Sequence, residues 1–115
     1  MPSRSKQKGN RYERELVNSA KQLGLEAKSS WGSAGRSLGL HEEVDLVVED
    51  WTIQAKIRKA IAKWVKPSDF IDAQVVRENN GKSYVIMRFE DWLLELKDKK
   101  KMIQALRELS KHETN

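Results

Sequence analysis

Alternation between Val44 and Ile57 constrains this chain more than any other feature. Val44, Leu46 and Val48 recur at every second position with Asp45 and Val47 between them, and beyond Glu49-Asp50-Trp51 the run Thr52-Ile53-Gln54-Ala55-Lys56-Ile57 alternates again. Strand side chains point to opposite faces in turn. The spacing therefore predicts two strands, with Val44, Leu46 and Val48 on the apolar face of the first and Ile53, Ala55 and Ile57 on that of the second. Closed as an antiparallel hairpin through an even-residue loop, they set Asp45 opposite Gln54 or opposite Lys56, and either register gathers the polar groups on one side. An odd loop would lay Asp45 over Ile53 and Ala55, and a slip of that kind is disfavoured wherever one face is buried. An acid, an amide and an amine on one face form either a solvated surface or a reactive cluster.

The length of 115 residues predicts one domain with a modest core. We expect a flexible basic arm over residues 1–9, ordered only by a partner, and the domain proper over 10–115. The chain has no cysteine, which excludes disulfides and thiolate metal sites and fits a reducing compartment. No apolar run approaches membrane-spanning length and no hydrophobic leader opens the chain, so the expectation is a soluble cytoplasmic protein, or one of the host cytoplasm if phage-encoded, with no membrane partner. Lysine and arginine number 22 against 17 acids, a net charge of +5. Their distribution says more. Arg4, Lys6, Lys8 and Arg11 precede the first acid, and Lys56, Arg58, Lys59, Lys63 and Lys66 form a second stretch with no acid among them. Such clusters neutralise phosphates and release counterions; the bland alternative is a solvated basic surface.

Along the chain, Asn10 is suited to cap a helix whose apolar positions Tyr12, Leu16, Val17, Ala20 and Leu23 lead to a glycine stop at Gly24. Glu13, three residues after Asn10, is either the acid of a capping box or a functional carboxylate near the buried face. A short strand over 25–28 follows. Ser29 to Glu43 then form a long stretch with Gly32, Gly35, Gly39, several serines, Trp31, Arg36 and His41, and long structureless segments in small domains are functional or disordered. Hydroxyls, glycine amides and Arg36 suit phosphate contact, whereas His41 is a ligand, a general base or a plain loop residue. Pro67 and Ser68 predict a second helix to Glu78, with Phe70, Ile71, Ala73 and Val75 as its apolar contacts. Asn79-Asn80-Gly81-Lys82 is a turn signal. Ser83 to Phe89 is apolar almost throughout and predicts a strand covered on both faces. Glu90 to Lys111 predicts a last helix, with a break possible at Lys97 to Lys101. Trp92 fits a core or interface role, and Trp51 and Trp64 either that or base stacking. The predicted order is α-β-β-β-α-β-α, a single small α/β domain.

The order of a helical Glu, a strand Asp and then a polar residue two positions before Lys on the next strand resembles the PD-(D/E)xK nuclease superfamily. Within it the chain resembles the archaeal-type and phage Holliday junction resolvases. Lys8-Gly9-Asn10-Arg11-Tyr12-Glu13-Arg14-Glu15-Leu16-Val17 is similar to the resolvase opening, in which a Lys-Gly pair leads into Glu-Arg-Glu-Leu, and Ser33-Ala34-Gly35-Arg36-Ser37 is similar to the resolvase Ser-Ala-Gly-Ser loop with one residue added. The likeness runs from Lys8 to Trp64 and weakens in the later helix and strand. It implies a restriction-endonuclease-like fold, a mixed central sheet flanked by helices. It implies a catalytic set of Glu13, Asp45, Gln54 and Lys56, with Glu13, Asp45, Gln54 and the Ala55 carbonyl holding Mg²⁺, for which Mn²⁺ would substitute. Lys8, Arg11, Arg14, Ser33, Arg36, Arg58 and Lys59 would contact DNA. Gln54 departs from the usual acid and lowers the negative charge of the site, although an amide carbonyl is still a hard oxygen ligand. The activity implied is Mg²⁺-dependent, structure-selective DNA endonuclease cleavage at four-way junctions by a homodimer. The alternatives are a nuclease for flaps or other branched DNA and a non-catalytic DNA-binding domain that keeps the fold.

Overall fold

The structure, a computed structural model, describes residues 4–30 and 40–113. Its elements are α1 (Arg4–Gln22), β1 (Ala27–Ser29), β2 (Leu46–Val48), β3 (Trp51–Ile53), β4 (Ala73–Val76), β5 (Tyr84–Met87) and α2 (Phe89–Glu113). β1, β2 and β3 form one antiparallel sheet and β4 and β5 another. The chain divides into two compact units, Met1–Ile57 and Arg58–Asn115. The coarse expectation of a small mixed α/β protein holds, with two corrections to its detail: among the described residues both sheets are purely antiparallel, and the order is α-β-β-β-β-β-α.

In the first unit α1 lies against β1 and β2. Val17, Ala20 and Leu25 from the helix and its exit meet the buried side of the sheet, where Leu46 and Val48 have no exposed surface. The helix stops where glycine permits it. Gly24 has a φ of +80°, its N–H donates to the Lys21 carbonyl, and the Leu25 N–H donates back to the Ala20 carbonyl at 3.1 Å. This is a Schellman closure, completed by the burial of Ala20 and Leu25. At its other end the helix begins at Arg4, so residues 4–9, expected as an arm, are helical and Asn10 lies inside the helix. Arg, Lys and Gln are good helix formers and carry the helix past Gly9.

The hairpin closes in one of the two anticipated registers. Leu46 pairs with Ile53, Val47 with Thr52 and Val48 with Trp51, around a two-residue turn of Glu49 and Asp50. Glu49 adopts a φ of +52°, the left-handed conformation that two-residue hairpin turns need. It is secured on both sides by Glu26, whose carbonyl accepts from the Glu49 N–H at 2.7 Å and whose N–H donates to Glu49 Oε2 at 2.6 Å. β3 is shorter than the alternation predicted. It ends at Ile53, and Ile57 is exposed instead of lying on an apolar face.

The second unit departs furthest from expectation. Residues 67–78 contain no helix; Ala73–Val76 is a strand, pairing Val75 with Val85 and Gln74 with Ile86. The Asn79-Asn80-Gly81 turn lies between its two strands, with Asn80 at a φ of +60° and the Gly81 N–H donating to Glu78. Cross-strand pairing of the β-branched Val75 and Val76 thus overrides a local helical spacing. Nor is β5 covered on both faces, since Tyr84 and Val85 are largely exposed. α2 runs unbroken through Lys97 to Lys101, with Glu90 and Asp91 in its first turn and Lys111 and His112 in its last, each matched to the helix dipole. Trp92 is half-buried beside Phe89, their ring centroids 5.6 Å apart. Among the described residues no helix is long and apolar enough to cross a membrane.

Leu46 lies wholly out of water under α1, so Leu46→Ala should cost about 2–5 kcal/mol of stability, as core truncations do. The exposed Thr52→Ala should stay within about 0.5 kcal/mol. Urea denaturation of the two variants checks the assignment of the core; equal losses would refute it.

Candidate functional site

The polar residues singled out by alternation belong to the first unit, and the structure brings part of the set together. Asp45 immediately precedes β2, and its N–H donates to the Ile53 carbonyl at 2.8 Å, which carries the hairpin one residue past the strand. The paired register ends at Leu46 and Ile53, leaving Asp45 and Gln54 each one residue beyond it. At Ala55 the backbone ladder gives way to a side chain, because the Ala55 N–H donates to Asp45 Oδ2 at 2.8 Å. This bond orients the carboxylate and ends β3, so the direction of Lys56 is not set by strand alternation. Lys56 is exposed, three residues beyond the end of β3.

Glu13 reaches the same place from α1. It lies nine residues into the helix, which removes the capping-box explanation, and the Ser29 hydroxyl lies 3.4 Å from its Oε2 and 3.5 Å from the Asp45 carbonyl oxygen. Burial pushes the Glu13 carboxyl above its ordinary value of 4.5; the negative charge of Asp45 pushes it the same way, and the Ser29 hydrogen bond opposes both. Two carboxylates from different elements are therefore held close enough to repel. Ser30 supports the strand end, its N–H donating to the Asp45 carbonyl at 3.0 Å and its hydroxyl to Val44.

At the open end of the β2-β3 hairpin the surface is hollowed into a depression of about 410 Å³ lined by His41, Glu43, Val44, Thr52, Ile53 and Gln54. His41, which the sequence leaves open as a ligand, a general base or a plain loop residue, lines this depression. Its Nδ1 accepts from the Glu43 N–H at 3.0 Å, and the Val44 N–H donates to its carbonyl, so the neutral ring carries its proton on Nε2. Neither bond could be read from the sequence, since both depend on the turn over 42–43.

Of the residues expected to contact DNA, Lys8, Arg11 and Arg14 are exposed on α1, and Arg58 and Lys59 are exposed in the second unit. Ser33 and Arg36 lie outside the described residues, as does Trp31.

The donor set suits a hard cation. No three Asp, Glu, His or Cys side chains gather as a cation site among the described residues, so the two carboxylates would need the Gln54 amide and a backbone carbonyl to complete a shell. All of these are oxygen donors of the kind Mg²⁺ takes, and mutual repulsion between Glu13 and Asp45 is what a divalent cation relieves. No family model, curated protein or solved structure matches the chain.

An acid whose folded-state pKa is raised favours folding below its unfolded value and progressively loses that contribution as pH rises through the raised one. In EDTA, Glu13→Gln should therefore melt higher than the native protein at pH 7, with the difference vanishing near pH 4. Thermal melts at the two pH values check it, and an equal difference at both would remove the repulsion from the account.

Proposed function

We propose that this chain is a Mg²⁺-dependent, structure-selective DNA endonuclease of the Holliday junction resolvase type, acting as a homodimer on four-way junctions. The observation that carries the reading is the approach of Glu13 from α1 to Asp45 just before β2, with Gln54 one residue past the end of β3. That arrangement supports a reading in the order of the PD-(D/E)xK motif, in which α1 with the sheet β1-β2-β3 would be the part of a restriction-endonuclease-like fold that bears it. Glu13, Asp45, the Gln54 amide oxygen and the Ala55 carbonyl would hold the ion. The chemistry a bound Mg²⁺ supplies is activation of water and neutralisation of charge on the phosphate.

The protein's own contributions follow from its contacts. The Ala55 N–H keeps the Asp45 carboxylate in one orientation, so its charge is pre-positioned and needs no rearrangement during reaction. Lys56, a compact cation on a flexible stem, would hold a phosphate oxygen or orient the water. The exposed cations Lys8, Arg11 and Arg14 on one helix would track the DNA backbone, with Arg58 and Lys59 doing so from the next segment. A two-fold pair of such sites suits the paired strands of a four-way junction. Gln54 in place of an acid, with Lys56 beyond the strand, favours one second reading, a non-catalytic DNA-binding protein.

Cleavage of labelled linear duplex, flap and four-way junction substrates, with and without Mg²⁺, separates these readings. Asp45→Asn should abolish cutting and leave DNA affinity almost unchanged, because the basic surface is untouched. Cutting at the native rate would refute the site.

Gln54→Glu adds a negative charge beside the ion and should lower the Mg²⁺ concentration for half-maximal cleavage. A metal titration of both proteins reads this directly. Absence of any metal response in either favours the non-catalytic protein.

A further inference from the structure

Two aromatic rings of the second unit stand in water on turns that are firmly tied. Phe70 is 98% exposed and Trp64 68%. Single exposed apolar residues are common, but these two occupy backbone held from several directions. Phe70 belongs to a turn in which the Ile71 N–H donates to the Ser68 carbonyl at 3.2 Å and the Phe70 N–H to Ser68 Oγ at 3.4 Å. Arg88 clamps both shoulders of that turn, giving Nη2 to the Ser68 carbonyl at 2.6 Å and both Nη groups to the Ile71 carbonyl at 3.2 Å. Asp91, 3.4 Å from Nη1, holds the guanidinium in turn. Trp64 follows the same plan, its carbonyl accepting from Gln74 Nε2 at 2.9 Å within a turn closed by the Val65 N–H on Ala62.

Both clamps sit at one end of the β4-β5 hairpin. Gln74 is next to Ala73, which pairs with Met87, the residue before Arg88. The chain entering this end carries Arg58, Lys59, Lys63 and Lys66, all exposed, and the first acids after them are Asp69 and Asp72. Exposed rings on tied turns and a run of cations are the two parts of a site for unpaired nucleic acid, in which bases stack on aromatics and phosphates meet lysine and arginine.

We propose that this end of the second unit binds single-stranded DNA, with Trp64 and Phe70 stacking on unpaired bases and Arg58, Lys59, Lys63 and Lys66 neutralising phosphates. A second copy of the chain is the wrong occupant, since self-association would bring these cations against their own copies; a polyanion complements them. Duplex is the wrong form of that polyanion, because its bases are already stacked on one another and offer no faces to the rings. The inference rests on the nuclease reading only in choosing DNA, and it names the part of a branched substrate recognised here: a strand with open bases.

Fluorescence anisotropy of a labelled oligothymidylate and of a duplex of equal length, on the full chain in EDTA, tests it. The native protein should prefer the single strand. Phe70→Ala and Trp64→Ala should each weaken single-strand affinity by about 5- to 100-fold with little effect on duplex, while Phe70→Trp keeps it. Both rings are exposed, so their removal leaves the fold intact. Lys63→Gln with Lys66→Gln should flatten the salt dependence. Unchanged single-strand affinity in both alanine variants, or equal loss for duplex, overturns the proposal. Asp45→Asn keeps the readings apart: it should bind the oligothymidylate as the native protein does, whatever it does to cleavage.

Discussion

The first unit depends on one strand, β2. It pairs with β1 on one side and β3 on the other, and its Leu46 and Val48 are shut from water. A central strand so placed cannot slip by one residue without turning Leu46 and Val48 out to solvent and Asp45 and Val47 into the core. The position of Asp45 is thereby determined by the burial of its neighbours. Glu49, two residues beyond Val47, locks the far end through its paired bonds to Glu26. Hydrophobic burial sets the register, and the register sets where the strand leads into Asp45.

Against that rigid strand, α1 brings a carboxylate that electrostatics would keep away. Glu13 loses hydration and meets the field of Asp45, with one shared hydroxyl from Ser29 as compensation. Packing of Val17 and Ala20 holds the helix there regardless. The two acids repel at a place where the packing around them leaves no room to separate, and a charge of opposite sign between them would relieve the conflict. Asp45 serves both sides of this arrangement, as a source of charge and, through the Ala55 N–H, as the terminator of β3.

The second unit is organised differently, around hydrogen bonds of side chains to turn carbonyls. Arg88 and Gln74 stabilise the two segments that lead into β4, where the local sequence has little regular structure of its own. These bonds leave the rings of Phe70 and Trp64 outside.

The sequence by itself determined what period-two alternation can determine. It implied the hairpin and its even-residue turn, because burial of one face leaves few registers. The glycine stop of α1 and the turn at Asn79 to Gly81 were equally legible, since each needs a backbone conformation that few residues adopt. Tertiary structure decided the remainder. Asn10 looked like a cap until the helix was seen to continue to Arg4, and Glu13 acquired its neighbours only when α1 packed on the sheet. Pro67 and Ser68 signalled a helix, yet Ala73 to Val76 pair with Tyr84 to Met87. The spacing of Phe70, Ile71, Ala73 and Val75 fits a helical face, and what overrode it was a partner strand eight or more residues away. The end of β3 was equally hidden, because the N–H of Ala55 could be claimed by a carboxylate ten residues earlier only after the hairpin had closed.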